Sequence, residues 1–544
     1  MPAITTKTLT GAQIVLKTLN KLGIDTIFGY PGGIVLNVYD ELSRQNAVKH
    51  YLVRYEQAAV HAAEGYARVS GKCGAVIVTS GPGATNVVTG LANAYLDGYP
   101  LIVITGQVMS ELLHQDAFQE VDIIDITKSC TKKNYQVKCV CDLEKTLTDA
   151  YNCAMSGRQG PVLVDITKNV FTECAEFSDD ISVNISKPQI NKADVKIALD
   201  MILHAKKPLI ISGGGVVQSG ASNEIYDFAK NLNIPVVSTM MGLGTFPEDD
   251  ENFIGMIGIF GHPAANKIVR DADLIFAVGT RFNDRIRCCF PNNELGKKLI
   301  HLDVDEKEIS RIVPAELGIK GDAKEVLSLM LESIKSCNVN RNSDWLNEAI
   351  SFKTNCLKPL KRSSQMHSFE VMQRIYECIK DKNLVITTEV GQHQVWAARY
   401  LKFNSPRRFI TSGGLGTMGF GFPAAIGASV AFENQPVVCI AGDGSFQMNL
   451  QELAVCMDYK LPVKIFILDN GYLGMVRQFQ EKSCDKRYFA TKISNPDFIK
   501  LAQSYGADGL RVERIEDIKD AIDKAFSFDG PFIVDFVIEP MELL

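Results

Sequence analysis

The sequence predicts an α/β protein made of three doubly wound, parallel-sheet domains. Short apolar runs rich in β-branched residues alternate with helix-like stretches over most of the 544 residues. Continuous apolar runs of this kind are typical of strands that are buried on both faces of a parallel sheet. Polar stretches at residues 173–191 and 336–344 interrupt the alternation and are interpreted as linkers. They leave three pieces of ordinary domain size, which we place at residues 1–180, 190–340 and 360–544.

The composition narrows the class of protein. Hydrophobic residues make up 46% of the chain and charged residues 22%, as in ordinary globular proteins. The net charge of −6 and the absence of a basic block argue against nucleic acid or an anionic membrane as a partner. No apolar run approaches the roughly 18 residues that span a bilayer, and the first residues carry no export pattern, so we expect a cytoplasmic location. The 14 cysteines show no metal-ligand spacing and are expected to be reduced.

Several elements can be placed from local pattern alone. The clearest strands are expected at residues 49–53, 74–79, 100–105, 161–165, 208–212, 274–278, 437–441, 463–468 and 531–537. Helices are expected at residues 55–69, 87–96 and 449–457. Glycine-rich loops at residues 80–86 and 442–446 each follow a strand and lead into a helix. In open α/β sheets, ligands bind at that end of the strands.

The sharpest local motif is Gly442-Asp443-Gly444-Ser445, with Asn470 standing 27 residues after Asp443. Glycines let a phosphate approach the backbone closely, and a helix N-terminus favours negative charge. Asp443 and Asn470 follow two strands and supply the oxygen ligands that suit Mg²⁺. The alternative is a tight turn with an unrelated loop asparagine.

Ten ordered motifs, covering about residues 10–535, resemble the catalytic subunit of the acetolactate synthase (acetohydroxyacid synthase) family. They are Phe28-Gly-Tyr-Pro-Gly-Gly33, Arg54-Tyr-Glu-Gln57, Glu64-Gly-Tyr-Ala-Arg68, Thr79-Ser-Gly-Pro-Gly-Ala-Thr-Asn86, Asp116-Ala-Phe-Gln-Glu120, Arg281-Phe-Asn-Asp-Arg285, Val390-Gly-Gln-His-Gln394, Ser412-Gly-Gly-Leu-Gly-Thr-Met418, Gly442-Asp-Gly-Ser445 and Gly474-Met-Val476.

The resemblance implies a function. The three domains are expected to bind the pyrimidine of thiamine diphosphate, FAD, and the diphosphate with Mg²⁺, in that order. The reaction implied is decarboxylation of pyruvate and ligation of the two-carbon remainder to a second 2-keto acid, giving 2-acetolactate for branched-chain amino acid synthesis. Since this reaction contains no redox step, any FAD is expected to be structural. A homodimer or homotetramer with the active site between two subunits is implied, with a small regulatory subunit as a possible partner.

The resemblance also implies site residues. The expected catalytic residues are Glu56, which faces the pyrimidine ring, Gln119, and Arg285, which grips the acceptor carboxylate. Thiamine diphosphate is expected to contact Pro31, Gly33, Pro82, Asn86, Val390, Gly391, Gln392, His393, Gly416, Met418, Gly444, Ser445, Leu473, Gly474 and Met475. The Mg²⁺ ligands are expected to be Asp443, Asn470 and Tyr472. FAD is expected to contact Arg158, Gly213, Gly214, Gly215, Thr239, Met240, Met241, Gly279, Arg281, Asp303, Asp322 and Ala323.

Simpler interpretations exist for several of these residues when each is taken alone. Glu56 could be a first-turn carboxylate that the helix dipole favours. His393 could be a buried structural histidine, and the methionines could be ordinary core residues. The triple glycine could be a tight loop. Arg285 could form a structural ion pair with Asp284 or Glu308.

The chain departs from the family pattern in several places. Asp469 stands where an asparagine is usual, Asn283 where an acidic residue is usual, and Phe479 where a tryptophan favours 2-ketobutyrate as acceptor. The loop at residues 109–111 lacks the usual Pro-Arg-Arg, and the chain stops at Leu544 without the family's proline-containing tail. Two rival hypotheses therefore remain. One is a carboligase that acts on a different ketone such as a keto sugar, and the other is a catalytically silent relative.

Overall fold

The structure is a computed structural model that describes residues 7–178, 181–290, 297–335, 343–355 and 366–544. Most of the second predicted linker, residues 336–342, and the predicted start of the third domain at residue 360 lie outside the described residues. By contacts the chain divides into two units. One comprises Met1–Ser186, Leu384–Gln394 and Ile410–Met541, and the other comprises Lys187–Asn383, Val395–Phe409 and Glu542–Leu544.

The first sheet is formed by the N-terminal third of the chain. Its strands are β2 (Thr26–Tyr30), β3 (Lys49–Leu52), β4 (Gly74–Val78), β5 (Leu101–Gln107), β6 (Lys133–Val137) and β7 (Pro161–Thr167). A separate two-stranded sheet is formed by β1 (Lys7–Thr10) and β8 (Cys174–Phe177). The helices are α1 (Gly11–Lys21), α2 (Leu36–Leu42), α3 (Glu56–Ser70), α4 (Pro82–Thr85), α5 (Val88–Asp97), α6 (Ile123–Thr127), α7 (Leu143–Met155) and α8 (Lys168–Thr172). Six strands pair in parallel in the order β3-β2-β4-β5-β7-β6.

The second sheet is formed by the middle of the chain. Its strands are β9 (Pro208–Ser212), β10 (Val236–Ser238), β11 (Phe253–Met256), β12 (Leu274–Val278), β13 (Lys298–Asp303) and β14 (Leu317–Lys320). The helices are α9 (Lys192–His204), α10 (Gly214–Ser219), α11 (Ser222–Asn231), α12 (Pro263–Asp271), α13 (Asp284–Arg287), α14 (Ala323–Lys335), α15 (Asp344–Asn355) and α16 (Ser368–Ile379). All strands are parallel, in the order β11-β10-β9-β12-β13-β14.

The third sheet is formed by the C-terminal part. Its strands are β15 (Val385–Thr388), β16 (Phe409–Ile410), β17 (Val437–Gly442), β18 (Val463–Asp469), β19 (Asp508–Val512) and β20 (Phe532–Val537). The helices are α17 (Gln392–Tyr400), α18 (Gly421–Ala431), α19 (Asp443–Phe446), α20 (Leu453–Asp458), α21 (Gly474–Ser483), α22 (Phe498–Ser504) and α23 (Ile518–Ser527). The order is β16-β15-β17-β18-β20-β19, with parallel pairing from β15 to β19.

The predicted α/β class with three parallel-sheet domains is confirmed. Strands such as β4 and β17 are buried along their whole length, because helices cover both faces of a parallel sheet. No helix in the described part of the chain is long and apolar enough to cross a membrane.

Two predicted elements were wrong in detail. The linker expected at residues 173–191 begins with a strand, β8, which pairs antiparallel with β1 and buries Phe177. The strand escaped prediction because its four residues, Cys-Ala-Glu-Phe, are too few to show a strand pattern. The helix expected at residues 449–457 begins with a 3₁₀ turn at Leu450–Glu452, because the Asn449 side chain turns away to donate to the carbonyl of Gly419 at 2.6 Å.

Helices α3 and α18 hold the first and third sheets against each other. A Cβ on Gly65 of α3 would lie 2.1 Å from the carbonyl oxygen of Ala424, and a Cβ on Gly427 of α18 would lie 1.7 Å from that of Ala62. The two helices therefore touch backbone to backbone, and only glycine permits this approach. One hydrophobic core runs through both sheets as a result.

Candidate active site

Glu56 lies at the first position of α3, directly after the turn that follows β3. Its Oε2 accepts a hydrogen bond of 2.9 Å from Nδ2 of Asn86, which ends the short helix α4 after β4. A Cβ on Gly83 would lie 3.4 Å from Glu56 Oε1, so the glycine-rich loop packs closely on the carboxylate. The carboxyl ends of β3 and β4 thus bring together two residues that the sequence predicted to share a site.

The loop after β2 and residue Gln119 border the same place. A Cβ on Gly32 would lie 2.4 Å from Thr79 Cβ, whereas one on Gly33 would meet nothing within 4 Å. Gln119 has a φ of 61° and lies against Gly81, whose added Cβ would be 2.9 Å from the Gln119 Cα. The loop of Pro31 and Gly33 therefore packs on Thr79, and Gln119 packs on the loop of Pro82, whereas their contact with a cofactor remains a prediction.

Asp443 opens α19 at the carboxyl end of β17 and is buried. Its Oδ2 accepts hydrogen bonds from the backbone N–H of Gly471 at 2.9 Å and from Nδ2 of Asn495 at 2.8 Å. Both donors also bond to Oδ1 of Asp469, at 3.1 and 2.8 Å. Burial, together with the charge of Asp469, raises the pKa of Asp443 to about 7. Two carboxylates this close favour a cation between or beside them.

Asn470 and Tyr472 form the turn that follows β18. The Tyr472 N–H donates to Oδ1 of Asn470 at 3.0 Å, and the next N–H, of Leu473, donates to Thr491 at 2.7 Å. A Cβ on Gly444 would lie 2.9 Å from the Leu473 side chain, so this turn packs against the loop that carries Asp443. The three predicted metal ligands therefore lie on adjacent loops.

His393 and Gln392 begin α17 and face the same loops. A Cβ on Gly442 would lie 2.7 Å from Nδ1 of His393, and one on Gly474 would lie 2.0 Å from Oε1 of Gln392. Burial lowers the pKa of His393 to about 3, so the ring is neutral at physiological pH. Its Nε2 is buried and has no hydrogen-bond partner among the described residues. A side chain at residue 442 or 474 would therefore have to displace His393 or Gln392.

The loop that carries Gly416 and Met418 is held by buried polar groups. Ser412 Oγ accepts hydrogen bonds from the N–H groups of Gly416 and Thr417, at 3.0 and 2.9 Å. The Glu389 carboxylate accepts from the N–H of Gly419 at 2.7 Å. Gly416 has a φ of 75° and lies beside Val390, from which an added Cβ would be 3.9 Å. The predicted residues Val390, Gly391, Gly416 and Met418 therefore share one edge of the third sheet.

A thiamine diphosphate–Mg²⁺ group fits these residues. The buried Nε2 of His393, beside the loop of Gly442, has no hydrogen-bond partner among the described residues and is available to a bound ligand. Among the described residues, no group of three or more His, Cys, Asp and Glu side chains could hold a metal ion. The Asp443 site has one buried carboxylate, an amide oxygen and a carbonyl, and oxygens of a diphosphate would complete a Mg²⁺ shell.

The residues predicted to contact FAD gather, with one exception, at the carboxyl edge of the second sheet. There a Cβ on Gly213 would lie 2.1 Å from the Gly279 carbonyl oxygen, and one on Gly215 would lie 2.7 Å from Gly279 Cα. The two loops touch each other, so packing within the chain already accounts for two of the three glycines. The residues at this edge lie at the end of a strand, in the loop after it or at the start of the next helix, and they are Gly213, Gly214, Gly215, Thr239, Met240, Met241, Gly279, Arg281, Asp303, Asp322 and Ala323.

Arg158 is the exception. It precedes β7, at the amino edge of the first sheet, and donates to the carbonyls of Tyr95 and Leu96, both at 3.0 Å. It therefore anchors the end of α5, and its contact with FAD remains a prediction.

Arg285 and Phe479 are exposed. Nε of Arg285 lies 3.5 Å from Asp284 Oδ2, and both side chains are more than half exposed. The simpler alternative, an ion pair with Asp284, is therefore present, and the role of Arg285 toward a substrate remains a prediction. Phe479, on α21, has 49% of its surface exposed, and Phe118 has 89%.

Two polar residues of this region escaped the sequence analysis. Asn495 bridges Asp443 and Asp469, although it lies 52 residues beyond Asp443 in an irregular loop. Glu389 holds the loop of Met418 and has its pKa raised to about 7 by complete burial. A carboxylate directly after a buried apolar strand was the one available signal for Glu389; Asn495 carried none.

Comparison with known proteins agrees with this geometry. Three family models match, all of the thiamine pyrophosphate enzymes: the N-terminal TPP binding domain at residues 9–126, the central domain at 195–330, and the C-terminal TPP binding domain at 389–536. The acetolactate synthase large subunit of Haemophilus influenzae is 41% identical, over 98% of this chain and 96% of its own. The acetolactate synthase isozyme 3 large subunit of Escherichia coli is 40% identical over 95% of this chain and 92% of its own. A probable acetolactate synthase large subunit of Methanocaldococcus jannaschii is 42% identical over 98% of this chain and 93% of its own.

Identity of this level along nearly the whole length shows common descent of all three domains. The family resemblance and the thiamine diphosphate cofactor predicted from the motifs are confirmed. The chain belongs to the acetolactate synthase large-subunit family of thiamine pyrophosphate enzymes.

Proposed function

We propose that this chain is the catalytic subunit of an acetolactate synthase, which decarboxylates pyruvate and ligates the two-carbon remainder to a second 2-keto acid. The observation that carries the proposal is the pair of intact polar groups, Glu56 with Asn86 and Asp443 with the turn of Asn470 and Gly471, in a chain so similar to named acetolactate synthases. A catalytically silent relative would have no need of both. Thiamine diphosphate supplies, when bound, the electron sink that decarboxylation of a 2-keto acid requires.

Glu56 is assigned to proton transfer with the pyrimidine ring of the cofactor. Its carboxylate lies at a helix N-terminus, where the backbone dipole stabilises negative charge. The 2.9 Å hydrogen bond from Asn86 holds one carboxylate oxygen of Glu56 and therefore defines the orientation of the carboxylate. A carboxylate held in this way is suited to general acid–base work.

Asp443, Asn470 and the carbonyl of Tyr472 are assigned to Mg²⁺, and the glycine-rich loops around Gln392 and His393 to the cofactor. Mg²⁺ and FAD complete the cofactor set of this family. The residues at the carboxyl edge of the second sheet are assigned to FAD, since open parallel sheets bind ligands there. FAD has a structural role in this proposal, because neither decarboxylation nor ligation changes a redox state.

Arg285 is assigned to the carboxylate of the second 2-keto acid. Its present ion pair is long and exposed, so it contributes little and is easily exchanged for a substrate carboxylate. Gln119 lies against Gly81, in the glycine-rich loop beside Glu56, and is assigned as a catalytic residue that lines the cofactor. Phe479 is assigned to the acceptor pocket, and Phe118 and Lys168, which match positions that line the family's substrate channel, are assigned to that channel.

The names of the relatives, which are called large subunits, support a small subunit as a partner. The chain is proposed to act in the cytoplasm as a homodimer or homotetramer with the active site between two copies, and to bind a small regulatory subunit.

The test is to incubate the purified chain with pyruvate, thiamine diphosphate and Mg²⁺ and to measure acetolactate and CO₂. Parallel reactions contain 2-ketobutyrate or a keto sugar as an added acceptor, and Glu56→Gln is the negative control. Acetolactate in the wild type alone supports the proposal. Release of CO₂ with ligation only to the keto sugar favours the carboligase alternative, and no turnover of pyruvate favours the silent relative.

A further inference from the structure

A second carboxylate stands directly beside the metal-binding group. Asp469 shares both hydrogen-bond donors of Asp443, the Gly471 N–H and the Asn495 amide, at 3.1 and 2.8 Å from its own Oδ1. Only 11% of the Asp469 side chain is exposed. Water therefore screens its charge poorly, and the charge acts on whatever binds to Asp443.

One arginine faces this carboxylate from β19, which is separated by β20 from the strand that carries Asp469. Nη1 of Arg511, on β19, lies 4.0 Å from Asp469 Oδ2 and 2.9 Å from Oδ2 of the buried Asp535. Nε of Arg511 also pairs with the exposed Glu513 at 3.1 Å. The arginine side chain is 46% exposed, so its charge is better screened than that of Asp469.

We propose that Asp469 and Arg511 set the affinity of the Asp443 site for its divalent cation. Asp469 strengthens cation binding by adding a negative charge that does not need to touch the ion. Arg511 partly offsets that charge from the opposite side. This inference rests on the proposed function, in which Asp443 and Asn470 hold Mg²⁺.

Removal of the Asp469 charge should weaken Mg²⁺ binding, whereas removal of the Arg511 charge should strengthen it. A merely structural role would not predict that the two variants change the Mg²⁺ Kd in opposite directions. In Asp469→Asn the remaining oxygen still accepts from Asn495 and Gly471, so the local hydrogen bonds survive while the charge disappears. The attraction lost between a monovalent and a divalent charge corresponds to an increase in the Mg²⁺ Kd of about tenfold. Arg511→Gln should lower the Kd by about two- to threefold, because the arginine is more exposed.

The experiment is calorimetric titration of Mg²⁺ into the whole enzyme at saturating thiamine diphosphate, with thermal unfolding at each Mg²⁺ concentration as a second readout. Arg511→Lys keeps the charge and should bind as the wild type does. Arg514→Gln removes an exposed arginine that pairs with Asp517 instead and serves as the matched control.

A Kd for Asp469→Asn within twofold of the wild type, or weaker binding by Arg511→Gln, would overturn the inference. If loss of the Asp535 pair prevents Arg511→Gln from folding, the Asp469→Asn titration alone decides. Failure of the wild type to bind Mg²⁺ with thiamine diphosphate is a different result, and it overturns the proposed function together with this inference.

Discussion

Glu452 accepts hydrogen bonds from the backbone N–H of Arg54, which lies 3.1 and 3.2 Å from its two carboxylate oxygens. The same carboxylate precedes α20, while Arg54 belongs to the turn that presents Glu56. The hydroxyl of Tyr459, after α20, accepts from the N–H of Leu52 at 2.8 Å. The Glu452 and Tyr459 side chains, which flank α20, thus fix the backbone that leads into α3.

This contact predicts a pH dependence of stability. Burial raises the pKa of Glu452 to about 7, from an ordinary value of 4.5. Between these two values the folded chain binds more protons than the unfolded chain, so the contribution of Glu452 to the free energy of unfolding falls as the pH rises. We therefore expect the free energy of unfolding of Glu452→Gln, measured by urea unfolding, to fall less steeply than that of the wild type between about pH 5 and pH 8. Glu176→Gln, at an exposed position, should follow the wild-type curve, and parallel curves for both variants would contradict the prediction.

Glu56→Gln should slow pyruvate turnover by about 10² to 10⁴, the usual contribution of a general acid–base group. The amide retains the shape of the carboxylate and can still accept from Asn86, but it cannot exchange the proton. Binding of thiamine diphosphate, measured by calorimetry, should survive, and the Glu176→Gln variant is again the control. Turnover close to that of the wild type would remove Glu56 from the mechanism.

Asp443→Ala should abolish tight binding of thiamine diphosphate in the presence of Mg²⁺. The substitution removes a metal ligand and leaves the diphosphate charge poorly neutralised. Calorimetry on the variant should show much weaker binding that excess Mg²⁺ restores only in part. Unchanged cofactor affinity would show that this loop does not hold the metal.

The acceptor pocket should discriminate weakly between pyruvate and 2-ketobutyrate. Phe479 offers a smaller apolar face than tryptophan, and one methylene in such a pocket is worth roughly 1–3 kcal/mol. We expect acetolactate to dominate in equal mixtures and Phe479→Trp to shift the products toward the 2-ketobutyrate adduct. Arg285→Lys should impair ligation more than CO₂ release. Strong preference of the wild type for 2-ketobutyrate would refute this assignment.

Gly427→Ala should destabilise the chain by about 1–3 kcal/mol, as overpacking of a tight interior usually does. The new Cβ would stand 1.7 Å from the Ala62 carbonyl oxygen, so α3 and α18 must move apart. Gly33→Ala, whose Cβ would meet nothing within 4 Å, is the matched control for stability in denaturant unfolding. Equal midpoints for the two variants would mean that the helix contact is unimportant.

The local sequence pattern was enough to predict the fold class, and the family resemblance supplied the candidate site residues. Buried strands such as β4 and β17 are continuous apolar runs, and this local pattern survives in any arrangement of the sheets. The motif around Asp443 follows such a strand directly, whereas Glu56 follows the partly exposed strand β3. Because the carboxyl ends of parallel strands meet at one edge, residues distant in the sequence could be assigned to one site.

Tertiary structure alone decided which polar groups hold these motifs in place. Arg54 and Glu452 are 398 residues apart, and Asn495 meets Asp443 from an irregular loop. No local pattern encodes such pairs, because hydrogen bonds between distant segments depend on how the helices and sheets pack. The same holds for Gly65 and Gly427, because the close backbone of the opposite helix is what requires glycine at these positions. Local periodicity specifies each element, whereas its neighbours are specified by packing of the whole chain.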